Sequence, residues 1–313
     1  MNSTPHVLVT GGAGYLGSIL VPALLARGVE VTVVDNFMYG QTPLLDCCHD
    51  DKLAIVRGDV RDERLLLPLL KKADVVMPLA CLVGAPLCAQ KPIEARSINL
   101  DAILMLLKNA SKTQKFISPT TNSGYGVGQS GVFCTEETPM NPISLYGILK
   151  VELEKALLGA GAISLRLATV CGVSPRMRLD LLVNDFTYRA VFDHFVVLFE
   201  SHFKRNYIHV RDVARAFLHA FDHFDEMKGQ PYNVGLSDAN LSKMELCQEI
   251  QKQVPGFTIM EAHVGKDPDQ RNYVVSNAKI EATGYRPQIS IQRAVAELIK
   301  GYQVVHRSQF ANV

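Results

Sequence analysis

The sequence predicts an α/β fold, a doubly wound parallel sheet with helices on both faces and a smaller C-terminal lobe. Three observations predict it. A short apolar run, His6-Val7-Leu8-Val9-Thr10, leads straight into Gly11-Gly12-Ala13-Gly14-Tyr15-Leu16-Gly17, and a helix-compatible stretch from Ser18 to Arg27 follows. Strand-like and helix-like segments then alternate through the first half, the pattern of a parallel sheet covered on both sides. Beyond about Gly172, Pro, Asn and Gly interrupt shorter elements, as expected of a separate lobe.

The first unit, strand to glycine turn to helix start, is the Rossmann-type layout of a dinucleotide site. Gly11 permits the tight turn, Gly14 lets the backbone approach a pyrophosphate, and Gly17 lets the helix pack closely on the strand. Tyr15 and Leu16 complete the loop, and the helix N-terminus presents free N–H groups to phosphates. The next strand, Val29 to Val34, ends at Asp35. An acid there, about 20 residues beyond the glycines, accepts hydrogen bonds from adenosine ribose hydroxyls. Asn36 to Gly40 contains no Lys or Arg for a 2′-phosphate, so NAD is favoured over NADP.

The remaining elements follow in order. Leu53–Arg57 reads as a strand, Arg61–Lys71 as a helix, Val75–Met77 as a strand, and Ile93–Lys112 as a long helix. Phe116–Ser118 is a strand, Ser144–Leu158 a helix, and Ile163–Val170 another strand. This gives a cofactor domain over residues 1–171 and a second lobe over 172–313, with the strand and helix of 206–228 expected to return to the first domain.

Composition restricts the partners. A chain of 313 residues can bury a large core and has a net charge of +1, which leaves no electrostatic footprint for nucleic acid. The apolar stretch Val75–Ala89 is cut by Pro78, Gly84 and Pro86 and is too short to span a bilayer. Met1–Pro5 is too short and polar for a secretory signal, and the seven cysteines have no CxxC spacing. A cytoplasmic protein with free thiols is expected. His219 and His223 form an i, i+4 pair without a third ligand, so no metal site is expected.

Tyr146 and Lys150 stand four residues apart, which puts a phenol and an ammonium on one face of a helical turn. A nearby positive charge stabilises a phenolate, so such a tyrosine can take a proton from an alcohol while a cofactor takes the hydride.

Taken together, Thr10-Gly11-Gly12-Ala13-Gly14-Tyr15-Leu16-Gly17, Gly58-Asp59-Val60-Arg61-Asp62, Pro78-Leu79-Ala80-Cys81, Asn99, Thr120 to Gly126, Tyr146-x-x-x-Lys150, Leu165-Arg166-Leu167-Ala168-Thr169 and the run Arg205 to Ala214 resemble the extended short-chain dehydrogenases/reductases that act on nucleotide sugars. The resemblance runs nearly end to end. It implies that Asp59 and Val60 hold the adenine edge and that Leu79, Ala80 and Cys81 line the cofactor cleft. It also implies that Lys150 binds the nicotinamide ribose and that Asn99 is a structural or proton-relay residue. Thr121 would relay a hydrogen bond to Tyr146, with Thr120 as the competing position. Arg205 and Arg271 would grip a nucleotide diphosphate, Asn184 would contact the diphosphate or sugar, and Arg176 and Arg178 would reach the sugar or phosphates. Relatives that dehydrate the sugar carry acids after the Thr121 position; this chain has Asn122 and Ser123, which are neither acids nor bases near neutral pH. Redox at a single carbinol remains.

Leu79 to Cys88, Thr121 to Gly126, Arg166 to Val170 and Ser174 to Ala190 further resemble bacterial GDP-manno-heptose 4-dehydrogenases of capsule biosynthesis. The resemblance implies oxidation of the C4 hydroxyl of a GDP-sugar to a 4-keto sugar. Epimerisation at C4, in which the hydride returns, is the alternative. An NAD-binding regulatory protein without catalysis is the alternative of another class. The helices 93–112 and 144–158 match the pair through which relatives dimerise, so a homodimer or larger homo-oligomer is expected.

Overall fold

A computed structural model describes residues 4–129, 131–262, 264–265 and 270–305. The first half contains β1 (His6–Thr10), α1 (Gly17–Leu25), β2 (Glu30–Asp35), β3 (Leu53–Arg57), α2 (Glu63–Leu70) and β4 (Val75–Pro78). It continues through α3 (Ala85–Gln90), α4 (Pro92–Arg96), α5 (Ala102–Asn109), β5 (Lys115–Thr121), β6 (Phe133–Cys134), α6 (Leu145–Gly159) and β7 (Ile163–Leu167). The second half contains β8 (Thr169–Cys171), α7 (Leu182–Phe192), β9 (Phe195–Leu198), β10 (Lys204–His209), α8 (Val210–Asp222), α9 (Phe224–Met227) and β11 (Pro231–Val234). It closes with β12 (Asn240–Ser242), α10 (Lys243–Gln251), β13 (Thr258–Glu261), β14 (Val274–Val275), α11 (Ala278–Ala282) and α12 (Ile291–Gly301).

Seven of these strands form one parallel sheet in the order β11-β7-β5-β4-β1-β2-β3. The period of two along β1 sorts its side chains between two cores. Val7 and Val9 pack with Leu20, Val21 and Leu24 of α1 and with Val213 and Phe217 of α8. Leu8 faces the other way, onto Leu66 and Leu70 of α2, Leu106 of α5, and Leu149 and Leu153 of α6. A third core, built from α7, α10, α12 and β10, belongs to the second lobe.

Strand order reverses at β1, which has β2 on one side and β4 on the other. In open α/β sheets the crevice for a ligand opens beyond the carboxyl ends of strands at such a point. Here Gly11 N donates to Val34 O at 2.8 Å and Leu79 N to Thr10 O at 2.8 Å, fixing the two loops that flank the crevice. Gly11 has φ +72°, and a Cβ on it would lie 2.5 Å from Ala80 N. A Cβ on Gly17 would lie 2.5 Å from Gly12 O, a backbone atom held in the turn. Gly17→Ala is therefore expected to cost about 1–3 kcal/mol of stability through overpacking, measured by denaturant unfolding.

Three elements differ from the sequence reading. The long helix 93–112 is interrupted by a π-helical turn at Ser97–Asp101 and ends at Asn109. The widened turn carries Asn99, whose side chain points inward and bonds the backbone of Leu82. The strand 163–170 is two strands, because β7 pairs with β5 and β11 in the main sheet, whereas β8 pairs with β10 in a three-stranded sheet. The segment 206–228 also divides: β10 joins that small sheet, and α8 packs beside α1 on the main one. The chain then adds β11 as an edge strand of the main sheet. No helix among the described residues is long and apolar enough to cross a membrane.

Candidate active site

One cavity of about 980 Å³ follows the crevice from the glycine loop to the second lobe. Gly11, Gly14, Tyr15, Leu16, Gly17, Asp35, Asn36, Asp59, Val60, Leu79, Ala80 and Cys81 all line it. Asp35 caps the end of β2 and ties it to the glycine loop, with Oδ2 accepting from Ala13 N at 2.9 Å and Oδ1 from Phe37 N at 2.8 Å. Asp59 forms a close ion pair with Arg61, which holds its carboxyl below the usual range. A bare glycine turn at a helix start, with a carboxylate at the next strand end, fits an NAD-like dinucleotide.

Farther along the cavity, α6 presents Tyr146 and Lys150. Ser144 caps this helix by accepting from Gly147 N at 3.2 Å, so the tyrosine lies in its first turn. Lys150 is buried, and its Nζ donates to Pro119 O at 3.1 Å. Burial pushes the Tyr146 phenol well above its ordinary pKa. The charges that oppose this are the guanidinium groups of Arg178 and Arg271. Lys150 also stands beside Cys81, whose thiol is pushed up by burial and pulled down by the ammonium.

The two threonines at the end of β5 separate as alternation requires. Thr120 Oγ1 donates to Glu154 Oε2 at 3.1 Å and contacts Ser164 Oγ at 2.8 Å, inside the core. Thr121 lines the cavity and donates to Ser123 Oγ at 3.0 Å, while Ser123 Oγ also accepts from Arg271. Arg205 and Arg271 line the second-lobe end with Tyr273, and the Arg205 guanidinium lies 5.6 Å from that ring.

Three residues expected in the site are not among those lining the cavity. Asn99 is fully buried and brackets Leu82, accepting from its N at 2.8 Å and donating to its O at 2.9 Å. Asn122 is buried as the first residue of the 3₁₀ turn that follows Thr121, and neither its Oδ1 nor its Nδ2 has a hydrogen-bond partner among the described residues. Asn184 is buried and braces the loop after β8, accepting from Gly172 N at 3.0 Å and donating to Arg178 O at 2.7 Å. Asn99 and Asn184 satisfy backbone groups and so shape the cavity from behind.

Arg176 and Arg178 also part. Arg176 reaches the cofactor side, where its guanidinium stacks 3.8 Å from the centre of the Tyr39 ring. Arg178 lies at the Tyr146 end; it is buried and pairs with the exposed Asp180, Nε to Oδ1 at 3.1 Å. Asp180, Tyr39 and Lys243 line the cavity and were not expected from the sequence. The Arg178-x-Asp180 spacing was the available signal for the first of them.

Comparison with known proteins fits this geometry. The model of the NAD dependent epimerase/dehydratase family matches residues 7–235. The chain belongs to that family. A UDP-glucose 4-epimerase of Lactobacillus helveticus is 27% identical over 313 residues, covering 90% of this chain and 92% of the relative. UDP-glucuronic acid decarboxylase 1 of Arabidopsis thaliana is 26% identical over 314 residues, covering 95% of this chain and 70% of the relative. Among solved structures, the UDP-glucose 4-epimerase of Thermus thermophilus in complex with NAD has a TM-score of 0.82 and 26% identity, covering 96% of this chain and 100% of that one. NAD is thus the cofactor of the family, and the crevice at the end of β1 has the lining to receive it.

Proposed function

We propose that this chain is a cytoplasmic NAD-dependent enzyme that oxidises the C4 hydroxyl of a nucleotide-diphosphate sugar to a 4-keto sugar. The observation that carries the reading is one cavity holding the glycine loop and Asp35 at one end, Tyr146, Lys150 and Thr121 in the middle, and Arg205 and Arg271 at the other. Bound NAD supplies the hydride acceptor. Tyr146 as phenolate takes the C4 hydroxyl proton, and Thr121 passes a hydrogen bond between the sugar and the phenol. Arg178 and Arg271 offset the burial that works against the phenolate. Lys150, fixed by Pro119 O, is positioned for the nicotinamide ribose. Arg205 and Arg271 hold the diphosphate, for which guanidinium forks suit the oxygens. Ser123 is an uncharged hydroxyl in that wall, so the site lacks there the extra acid and base that elimination of water needs.

The finer reading is a GDP-D-glycero-α-D-manno-heptose 4-dehydrogenase serving capsule or surface polysaccharide synthesis. It rests on the resemblance of the runs Leu79 to Cys88, Thr121 to Gly126 and Ser174 to Ala190. A second reading, 4-epimerisation of a UDP- or GDP-sugar, is favoured by the similarity to UDP-glucose 4-epimerases. Incubation with GDP-manno-heptose, UDP-glucose and UDP-glucuronic acid in excess NAD separates them. A dehydrogenase yields NADH absorbance together with a ketone. Recovery of a C4 epimer alone, with no ketone, would reject net oxidation. We further propose self-association through 93–112 and α6, where Ile93 and Ile148 are 85% and 48% exposed. Light scattering of Ile148→Lys against the native chain reads it, and an unchanged mass rejects this face.

A further inference from the structure

The loop that leaves β8 is fastened to the glycine loop by several bonds. Tyr15 Oη donates to Gly172 O at 2.6 Å, Ser174 Oγ donates to Tyr15 O at 2.7 Å, and Ser18 and Ser174 share a hydroxyl contact of 2.7 Å. The strap therefore crosses from the second lobe to the start of α1, where phosphates of a dinucleotide are expected. Two residues past Ser174, Arg176 is buried against Tyr39, which stands on the loop beyond Asp35 and is half-buried. Both side chains line the same cavity as Asp35 and the glycine loop. The Arg176 charge is opposed by burial and by the neighbouring Arg178, and supported by Tyr39, Asp180 and Asp35. A buried guanidinium beside a cleft gains from an anion placed there, and the pyrophosphate of NAD is one.

We propose that Arg176 is a cofactor-holding residue, and that Arg176 and Tyr39 form a clasp between the two lobes that must open before NAD leaves. The stack connects a loop of the sheet domain to a strap of the second lobe, so cofactor release requires that contact to break. The inference rests on NAD being the cofactor and is independent of which sugar is oxidised.

The test is the release of NADH from the full chain, followed by loss of its bound-state fluorescence after a chase with excess NAD. Arg176→Met and Tyr39→Leu are each expected to speed release about tenfold, the factor a desolvated cation–aromatic contact is worth. The double variant is expected to be little faster than Arg176→Met alone, because that variant has already lost the stack on Tyr39. Tyr39→Phe keeps the ring and is expected to release NADH at the native rate. Tyr39 stands on a half-exposed loop, and thermal melts of the NAD-saturated variants check that folding is intact. Release within twofold of native in both Arg176→Met and Tyr39→Leu overturns the proposal. So does an Arg176→Met that weakens binding of GDP or UDP and leaves NADH release unchanged, since Arg176 would then serve the sugar nucleotide.

Discussion

Tyr146→Phe is expected to lower kcat for sugar oxidation by about 10²–10⁴-fold, the range for loss of a positioned general base. That corresponds to about 3–5 kcal/mol of transition-state stabilisation. NAD binding should persist, because the glycine loop and Asp35 lie at the other end of the cavity and phenylalanine keeps the ring in place. The comparison that matters is therefore NADH formed per turnover against NAD bound per chain. A variant that binds NAD normally and retains more than about a tenth of native kcat would remove Tyr146 from the proton transfer and favour a non-catalytic NAD-binding role.

The pH profile tests the same residue from another side. Burial raises the Tyr146 pKa, and a base must be deprotonated to act, so kcat should rise with pH as the phenolate fraction grows. Arg178 pulls in the opposite direction. Removing its charge in Arg178→Met takes away a group that favours the phenolate and leaves Asp180 without its partner in the pair. Both changes raise the tyrosine pKa, so the rising limb should move to higher pH. A limb that moves to lower pH, or stays fixed while kcat is otherwise preserved, would show that Arg178 does not act on Tyr146.

What the sequence made legible was local. The strand, glycine turn and helix start occupy consecutive residues, and Asp35 follows at a distance set by one helix and one strand. Tyr146 and Lys150 share a helical face by spacing alone, and alternation along β5 separates Thr120 from Thr121. What stayed hidden depends on chain crossings. The loop after β8 carries Arg176 to one end of the cavity and Arg178 to the other, although they stand two residues apart. No periodicity reports that, because the course of a loop is set by what it packs against. Asn99 and Asn184 show the same limit: a buried amide that bonds backbone and one that faces a ligand are the same residue type in sequence.

Glu154→Leu is expected to cost about 3–5 kcal/mol of folding stability, although this residue lies on the helix that carries Tyr146 and does not line the cavity. Its carboxylate is buried with Arg166, whose Nη2 donates to Oε1 at 2.7 Å and whose Nε donates to Oε2 at 3.0 Å. Oε2 also accepts from Ser164 at 2.7 Å and Thr120 at 3.1 Å, which joins α6, β7 and β5 directly behind Thr121. The guanidinium continues to Tyr125 Oη at 2.9 Å and Glu136 O at 3.1 Å, so it cannot swing to water when its partner is removed. The expected loss comes from stranding that cation in the core and leaving one of the two hydroxyls short of an acceptor. A paired Glu154→Leu, Arg166→Met variant leaves no isolated charge and should recover most of the loss, because replacing a whole buried pair by apolar groups is often neutral or stabilising. Urea unfolding of the two singles and the double measures the coupling. Equal losses in Glu154→Leu and in the double variant would mean that the network is held by packing and that Arg166 finds another anion. Recovery of stability without recovery of kcat would show that the pair also fixes the end of β5, and with it the Thr121 hydroxyl.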